Sequence, residues 1–397
     1  MPVLRRRSGR TGGADGRPIC LVGPGTRFLS GITYYTFGLA NALARHRPVS
    51  VVLLRGLLPA RLYPGRRRVG ADVSRIELRP NVPRFDGIDW YWLPSAARAV
   101  WFLLARRPRV LVLQWWTATA LHTYLLIALV ARALGVTVVI EFHEVLDTGE
   151  ERFRPVRAYV RTLAPRLFRL AAGSICHSQF ERDAVVDRYG LPGDRIEVVP
   201  HPAVNPHTGG EPIRLAPDGV CNILYFGVIR PFKGVEDLIG AFDGLSEEQA
   251  SRYWLTLVGE TWEGWDLPVQ LAAASRHRDR ISFVNRYVDD EEADGFFRGS
   301  DVVVLPYHRS SQSGPLHVAM SLGLPVVVSA VGGLVEAVED YGGALLAPPA
   351  SPDELRAALV QSAELAGRRF ENRRGWGDII PRYSAAVDAL TARAEAA

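Results

Sequence analysis

The sequence predicts an α/β protein of two doubly wound domains, and two observations carry that expectation. Short, continuously apolar runs rich in Val, Ile and Leu recur along the whole chain, with helix-length segments between them. Such runs fit parallel strands, because a parallel sheet hides both faces under crossover helices. The runs also fall into two sets of six, on either side of a Pro/Gly-rich polar segment from Pro202 to Pro212 that reads as a linker. At 397 residues the chain exceeds one ordinary core, which agrees with two domains.

Taken in order, residues 1–17 are a tail dominated by Gly, Ser and Arg and read as disordered. The first domain, 18–202, carries the strand runs Ile19–Val22, Val49–Leu54, Val110–Gln114, Val136–Phe142, Ser174–His177 and Ile196–Val199. Residues 203–218 form the linker. The second domain, 219–375, carries Asn222–Val228, Trp254–Val258, Ile281–Val284, Val302–Leu305, Pro325–Ser329 and Ala344–Leu346. Residues 376–397 read as an amphipathic helix through Ile379, Ile380, Tyr383, Ala386 and Leu390, packing back toward the first domain. Strand–helix alternation throughout makes each half a Rossmann-like unit, and two such units facing each other predict a ligand cleft between them.

Composition narrows the function classes. The apolar share of 48% and charged share of 22% are those of a globular protein, and the net charge of +5 is mildly basic. No nucleic-acid-binding motif accompanies that charge. Cys20, Cys176 and Cys221 lie far apart inside or beside apolar runs, without metal-ligand spacing, which suits a reducing cytosol. No secretion signal follows the basic N-terminus, so a cytoplasmic location is expected. The stretch Thr117–Ile140 contains His122 and Arg132 and is broken by Gly135, so it reads as a helix followed by a buried strand rather than a membrane span.

Ligands of doubly wound sheets bind beyond the carboxyl ends of strands, where loops meet helix N-termini. Two such places stand out in the second domain. Gly227-Val228-Ile229-Arg230-Pro231-Phe232-Lys233-Gly234 follows the first strand run, and Lys233 is the only lysine among 47 basic residues. A chain that otherwise uses arginine keeps a compact point charge on a flexible stem here, beside the planar fork of Arg230. After Val302–Leu305 comes Tyr307-His308-Arg309-Ser310-Ser311-Gln312-Ser313-Gly314-Pro315-Leu316. Ser313 or Gly314 can cap a helix with Pro315 at its first position, leaving the N–H groups of Gly314, Leu316 and their neighbours for an anion. Together these residues suit a diphosphate.

These motifs, with Gly323-Leu324-Pro325 and Gly332-Gly333-Leu334-x-Glu336, resemble glycosyltransferase family 4, over nearly the whole chain and most specifically between Ile223 and Glu336. The resemblance implies the GT-B architecture, a nucleoside-diphosphate-sugar donor and a hydroxyl acceptor that is a glycan, a lipid-linked molecule or a small molecule. It also implies transfer with retained configuration and no required metal or other cofactor. Arg230 and Lys233 would hold the donor diphosphate and offset charge on the departing nucleotide. His143 matches the family's histidine beside the donor sugar, and Gly31 the backbone N–H at the start of the first helix. Val288 lies in the segment Asn285–Val288 that seats the base, with Ser310, Ser313, Gly314, Pro315 and Leu316 completing the donor site. One departure matters: the family's paired glutamates fall at Ser310 and Val318 here, so either Ser310, Gln312 and Ser313 replace them, or this is a divergent subgroup with altered donor handling.

Other segments leave readings open. His177-Ser178 is expected to set a helix N-terminus, and Gln114-Trp115-Trp116 either lines an acceptor pocket or belongs to the core. The acidic run Asp289–Glu292 is expected to open a helix and complement its dipole rather than bind metal. Arg152, Arg154, Arg157, Arg161, Arg166 and Arg169 interleave with apolar residues, which suits either peripheral contact with an anionic membrane or a solvated helix face. A nucleotide-sugar 2-epimerase and a non-catalytic nucleotide-sugar-binding homologue are the alternative functions on the same architecture.

Overall fold

The computed structural model describes residues 16–26, 31–56, 76–89, 93–145, 154–203, 209–262 and 264–396. Most of the basic tail, part of the loop before Gly31, the centre of the linker, and Arg152 and Phe153 lie outside them.

Seven parallel strands, β1 (Ile19–Pro24), β2 (Val49–Gly56), β3 (Arg84–Asp89), β4 (Val110–Trp115), β5 (Thr137–Phe142), β6 (Gly173–Cys176) and β7 (Ile196–Val198), form the first sheet in the order β3-β2-β1-β4-β5-β6-β7. Six more, β8 (Cys221–Phe226), β9 (Tyr253–Val258), β10 (Ile281–Val284), β11 (Val302–Leu305), β12 (Val326–Ser329) and β13 (Ala344–Ala347), form the second in the order β10-β9-β8-β11-β12-β13. Each sheet therefore reverses direction next to its first strand, between β1 and β4 and between β8 and β11. Loops after these strands frame the crevice where doubly wound sheets take ligands.

The sequence reading missed β3. Its residues Arg84-Phe85-Asp86-Gly87-Ile88-Asp89 alternate polar and apolar, because the strand lies at the sheet edge and is mostly part-exposed. The apolar-run criterion finds only strands covered on both faces.

In the first lobe the helices are α1 (Gly31–Leu43), α2 (Leu93–Arg106), α3 (Leu121–Ala133), α4 (Arg154–Leu170) and α5 (Gln179–Tyr189). Thr117–Ile140 is thus helix then strand, and among the described residues no helix is long and apolar enough to cross a membrane. In the second lobe they are α6 (Val235–Asp243), α7 (Glu247–Ala250), α8 (Leu267–Ala274), α9 (Asp290–Arg298), α10 (Gly314–Ser321), α11 (Gly333–Val338) and α12 (Pro352–Ser362). The last helix, α13 (Trp376–Ala396), returns to the first lobe. It buries Ile379, Ile380, Tyr383, Val387 and Leu390 among Ile19, Tyr35, Val112 and Ile175. Each sheet carries its own core, one around Val22, Leu113 and Ile140 and the other around Leu224, Leu257 and Val304.

Candidate active site

The loop after β8 is built to present its cations. Arg230 precedes a single 3-10 turn over Pro231–Lys233, and Gly234 follows with φ 60°. A Cβ on Gly234 would lie 2.0 Å from the carbonyl oxygen of Pro306, so only glycine lets this loop pass the one after β11. The backbone N–H of His308 donates to the carbonyl of Phe232 at 2.9 Å, tying the two loops together. The Lys233 ammonium lies 3.6 Å from the centroid of the buried Tyr307 ring, and the Arg230 guanidinium 4.7 Å from that of Trp262. Aromatic faces thus orient both cations, and both residues are half-buried.

Opposite them, Ser313 caps α10: its hydroxyl accepts from the N–H of Leu316 at 3.4 Å and donates to the Tyr307 hydroxyl at 3.4 Å. With Ser313 as cap, Gly314 is the first helical residue and Pro315 the second, one place later than the sequence suggested. Leu316 is buried in the second core. Ser310 donates to the carbonyl of Gln312 at 2.9 Å, so its hydroxyl is engaged in shaping the loop. Val288 is buried in the second core and has only its backbone to offer a ligand. Asp289 caps α9, accepting from the N–H groups of Glu291 at 3.1 Å and Glu292 at 2.9 Å, and Arg286 pairs with Glu292 at 2.5 Å. The acidic run is thus spent on the helix start.

Gly31 opens α1 at an exposed position, and a Cβ there would meet nothing within 4 Å. Gln114 and Trp115, by contrast, are core residues: Gln114 is fully buried, donating to Glu141 Oε2 at 3.2 Å and accepting from Thr36 at 2.5 Å. Burial thus puts Gln114 and Trp115 in the core, while Trp116 is half-buried with its ring 6.2 Å from that of Tyr124.

His143 directly follows β5 in a buried polar cluster that sequence reasoning did not assemble. Glu141, two residues earlier, accepts from Tyr35 at 2.5 Å and from Tyr383 of α13 at 3.2 Å, as well as from Gln114. The His143 and His177 rings lie 4.9 Å apart and both are buried. His201 stacks on His317 of α10 at 4.2 Å, carrying the cluster across to the second lobe. Burial pushes the Glu141 carboxyl up to about 7, against the three donors that favour its charged form. Burial also holds His143 well below the usual imidazole range, with His177 adding to the effect, and brings His177 down to about 4. One sequence signal pointed here, a carboxylate inside the apolar run Val138–Phe142. Tyr383 has no local signal at all.

His177-Ser178 does start a helix. Ser178 accepts from the N–H of Glu181 at 3.1 Å, and Glu181 accepts from the N–H of His177 at 2.7 Å. The same helix end is also gripped by the second lobe: Glu336 of α11 accepts from the N–H groups of Gln179 at 2.7 Å and Phe180 at 2.8 Å.

Residues 29–203 match the family model described as Glycosyltransferase Family 4, and residues 221–364 that described as Glycosyl transferases group 1. The chain belongs to glycosyltransferase family 4. Among curated relatives, this glycosyltransferase is 30% identical over 198 residues to O-antigen chain mannosyltransferase B of Escherichia coli, covering 47% of this chain and 50% of that one. It therefore spans about half the length of that relative. It is 27% identical over 392 residues to D-inositol 3-phosphate glycosyltransferase of Xylanimonas cellulosilytica, covering 89% and 90%. In fold it is similar to sucrose-phosphate synthase from Thermosynechococcus elongatus, with TM-score 0.61, 18% identity, and 94% and 95% of the two chains covered. Starch synthase IV from Arabidopsis thaliana, bound to ADP and acarbose, gives TM-score 0.70 and 11% identity, covering 95% and 100%. Anabaena HepE in complex with UDP and glucose gives 0.58 and 17%, covering 95% of each chain. The two-lobed GT-B architecture expected from the sequence is thus the one observed.

Proposed function

We propose that this glycosyltransferase moves a sugar from a nucleoside-diphosphate donor to a hydroxyl acceptor with retained anomeric configuration. The observation that carries the reading is the pairing of Arg230 and Lys233 after β8 with the N-terminus of α10 after β11, on the two sides of the switch point. A diphosphate there meets two fixed cations and the backbone N–H of Gly314, with the N–H of Leu316 taken by the Ser313 cap. As the bond to the sugar breaks, negative charge grows on the leaving phosphate, and donors already in position stabilise it without reorganising. No metal is required for that step. UDP and ADP in the fold relatives support a nucleoside diphosphate as donor fragment.

His143 takes a supporting part in this reading. At 7% exposure, with its Nε2 turned toward Glu141, it shapes the floor under the sugar rather than presenting an open nitrogen. The roles of the family's two glutamates fall to neighbouring polar groups, Gln312 and Ser313 and backbone donors, since Ser310 is committed to its loop. Gly31 offers its N–H from the first lobe, and the backbone of Val288 faces the base.

The acceptor approaches the first lobe, and an anionic membrane surface is the partner we assign to that lobe. Trp101 is 73% exposed, and Leu104, Leu126, Leu129 and Leu134 are exposed with it on α2, α3 and the turn after α3. The arginines of α4 lie on the helix that packs beside α3.

Calorimetry of UDP, GDP and ADP against wild type and Lys233→Ala tests the donor site. Losing one charged contact to phosphate should weaken the best-binding nucleotide about tenfold or more. Equal affinity in the two proteins rejects the diphosphate assignment, and proton NMR of the product's anomeric coupling tests retention.

A further inference from the structure

We propose that Glu141, His143 and His177 form a site for one divalent transition cation of the zinc type, beneath the cleft floor of the first lobe. Sheet pairing creates it. Glu141 and His143 are two residues apart at the end of β5, so their side chains share a face. In the parallel register of β5 and β6, Glu141 pairs with Ile175, which brings His177 alongside His143. No ligand spacing in the sequence marks this site, because the ligands meet only through the sheet.

The geometry calls for something small and positive between the three groups. His143 Nε2 lies 3.9 Å from Glu141 Oε2, and His177 Nε2 lies 3.8 Å from Glu141 Oε1. One ligand atom from each residue falls within 4.8 Å of the others. Both Nε2 atoms are buried without a hydrogen-bond partner. His177 Nδ1 lies 3.0 Å from the carbonyl of Val199, which can only accept, so Nδ1 holds the proton and Nε2 is a bare lone pair. The Glu141 oxygens have their donors in Tyr35, Gln114 and Tyr383, so what is left unsatisfied is the pair of buried imidazole nitrogens facing the carboxylate.

A cation at the centre takes up both nitrogens and is balanced by the carboxylate. Zinc bonds to imidazole nitrogen and carboxylate oxygen run about 2.0–2.2 Å, placing tetrahedral ligand atoms about 3.3–3.5 Å apart. The two histidine–carboxylate spacings, 3.9 and 3.8 Å, come close to that, and the third separation, within 4.8 Å, closes by rotation of the imidazole side chains onto the ion. Two imidazoles and one carboxylate select a borderline cation such as zinc, cobalt or nickel over magnesium or calcium, which prefer all-oxygen sets. The surrounding bonds are those of metal ligands: a carbonyl fixes the His177 tautomer, and Tyr35, Gln114 and Tyr383 hold the carboxylate. The site shares His143 with the floor under the sugar but neither Arg230 nor Lys233, so its role is to brace that floor, and metal titration tests it independently of the Lys233→Ala calorimetry that tests the donor reading.

The untagged full chain, stripped with a chelator and dialysed, is titrated with Zn²⁺ and Co²⁺ and followed by elemental analysis, visible absorption and melting temperature. The expected result is one metal per chain, cobalt d–d bands in the visible, and a melting temperature raised by about 5 °C at a hundredfold excess over Kd. Glu141→Gln and His177→Gln should each weaken binding at least tenfold while preserving the near-ultraviolet dichroism, and exposed His46→Gln should not. Absence of retained metal and of any melting shift in the wild type, as a water-filled site would give, overturns the proposal. So does unchanged zinc affinity in Glu141→Gln.

Discussion

His201 and His317 meet face to face, with planes 13° from parallel, one ring at the end of the first lobe and one on α10 of the second. Burial brings His317 down to about 3, with Arg374 and then His177 adding to it, and burial together with His317 holds His201 well below its usual range. Around the pair lie His143, Tyr35 at 4.8 Å from the His201 ring, the Pro202 carbonyl at 2.8 Å from His201 Nδ1, and Gln312, whose Oε1 lies 3.2 Å from His317 Nε2. A folded pKa that is depressed means the unfolded chain binds the extra proton. The stability from these rings is therefore complete above about pH 6.5 and is lost as pH falls below it, by about 1.4 kcal/mol per ring at pH 5.5. The urea midpoint of the wild type should drop between pH 7.5 and 5.5, and His317→Gln should flatten that drop; parallel pH profiles would exclude the stack as its source. At this scale the sequence was legible where chemistry was local. Lys233 and Arg230 announce themselves after one strand, whereas the Glu141 cluster draws on Tyr35, Gln114, His177 and Tyr383, which only the fold brings together.

Between elements, the contact that most directly joins the lobes is α11 against the N-terminus of α5. Gly332 precedes α11 with φ 52°, and a Cβ there would lie 1.9 Å from the carbonyl oxygen of Ser310, so the chain turns tightly enough to aim Glu336 across the cleft. The Glu336 carboxylate then stands in the positive field of α5 and accepts two of its free N–H groups. Arg374 reinforces the corner by donating to the Glu336 carbonyl at 2.6 Å. Removing the carboxylate with Glu336→Ala should cost about 1–2 kcal/mol, as loss of a helix cap does. Because the bond spans the lobes, the cost should appear as faster limited proteolysis and a larger radius of gyration by X-ray scattering. Identical scattering and cleavage rates would deny the contact a role in closure. The Gly-Gly-Leu-x-Glu pattern was visible in the sequence, but its partner at Gln179 was not, since nothing local in either segment encodes the other. Strand β3 was lost for a related reason, an edge element whose polar residues face water.

Across the whole molecule, charge and apolar exposure gather on one side of the first lobe. Helix α3 packs between α2 and α4. The apolar stripe of α4, Val160, Ala164, Leu167 and Phe168, is committed to the core, so that helix cannot bury it in lipid; what it presents outward is its arginines, Arg154, Arg161, Arg166 and Arg169 among them. The exposed apolar groups come instead from α2 and α3, with Trp101, Leu104, Leu126 and Leu129. Arginines near an anionic surface contribute about 1 kcal/mol each, screened beyond a Debye length, while an interfacial tryptophan contributes through area and is indifferent to salt. The two contributions therefore separate in a sedimentation assay. Vesicles rich in phosphatidylglycerol should carry the wild type down at low salt and much less at high salt, with little binding to phosphatidylcholine alone. Arg161→Gln with Arg166→Gln should reduce the salt-sensitive part, and Trp101→Ser should lower binding at both salt levels while leaving UDP affinity unchanged. Equal sedimentation with charged and neutral vesicles, or none with either, would leave these helices as a solvated face and the acceptor as a molecule met in solution.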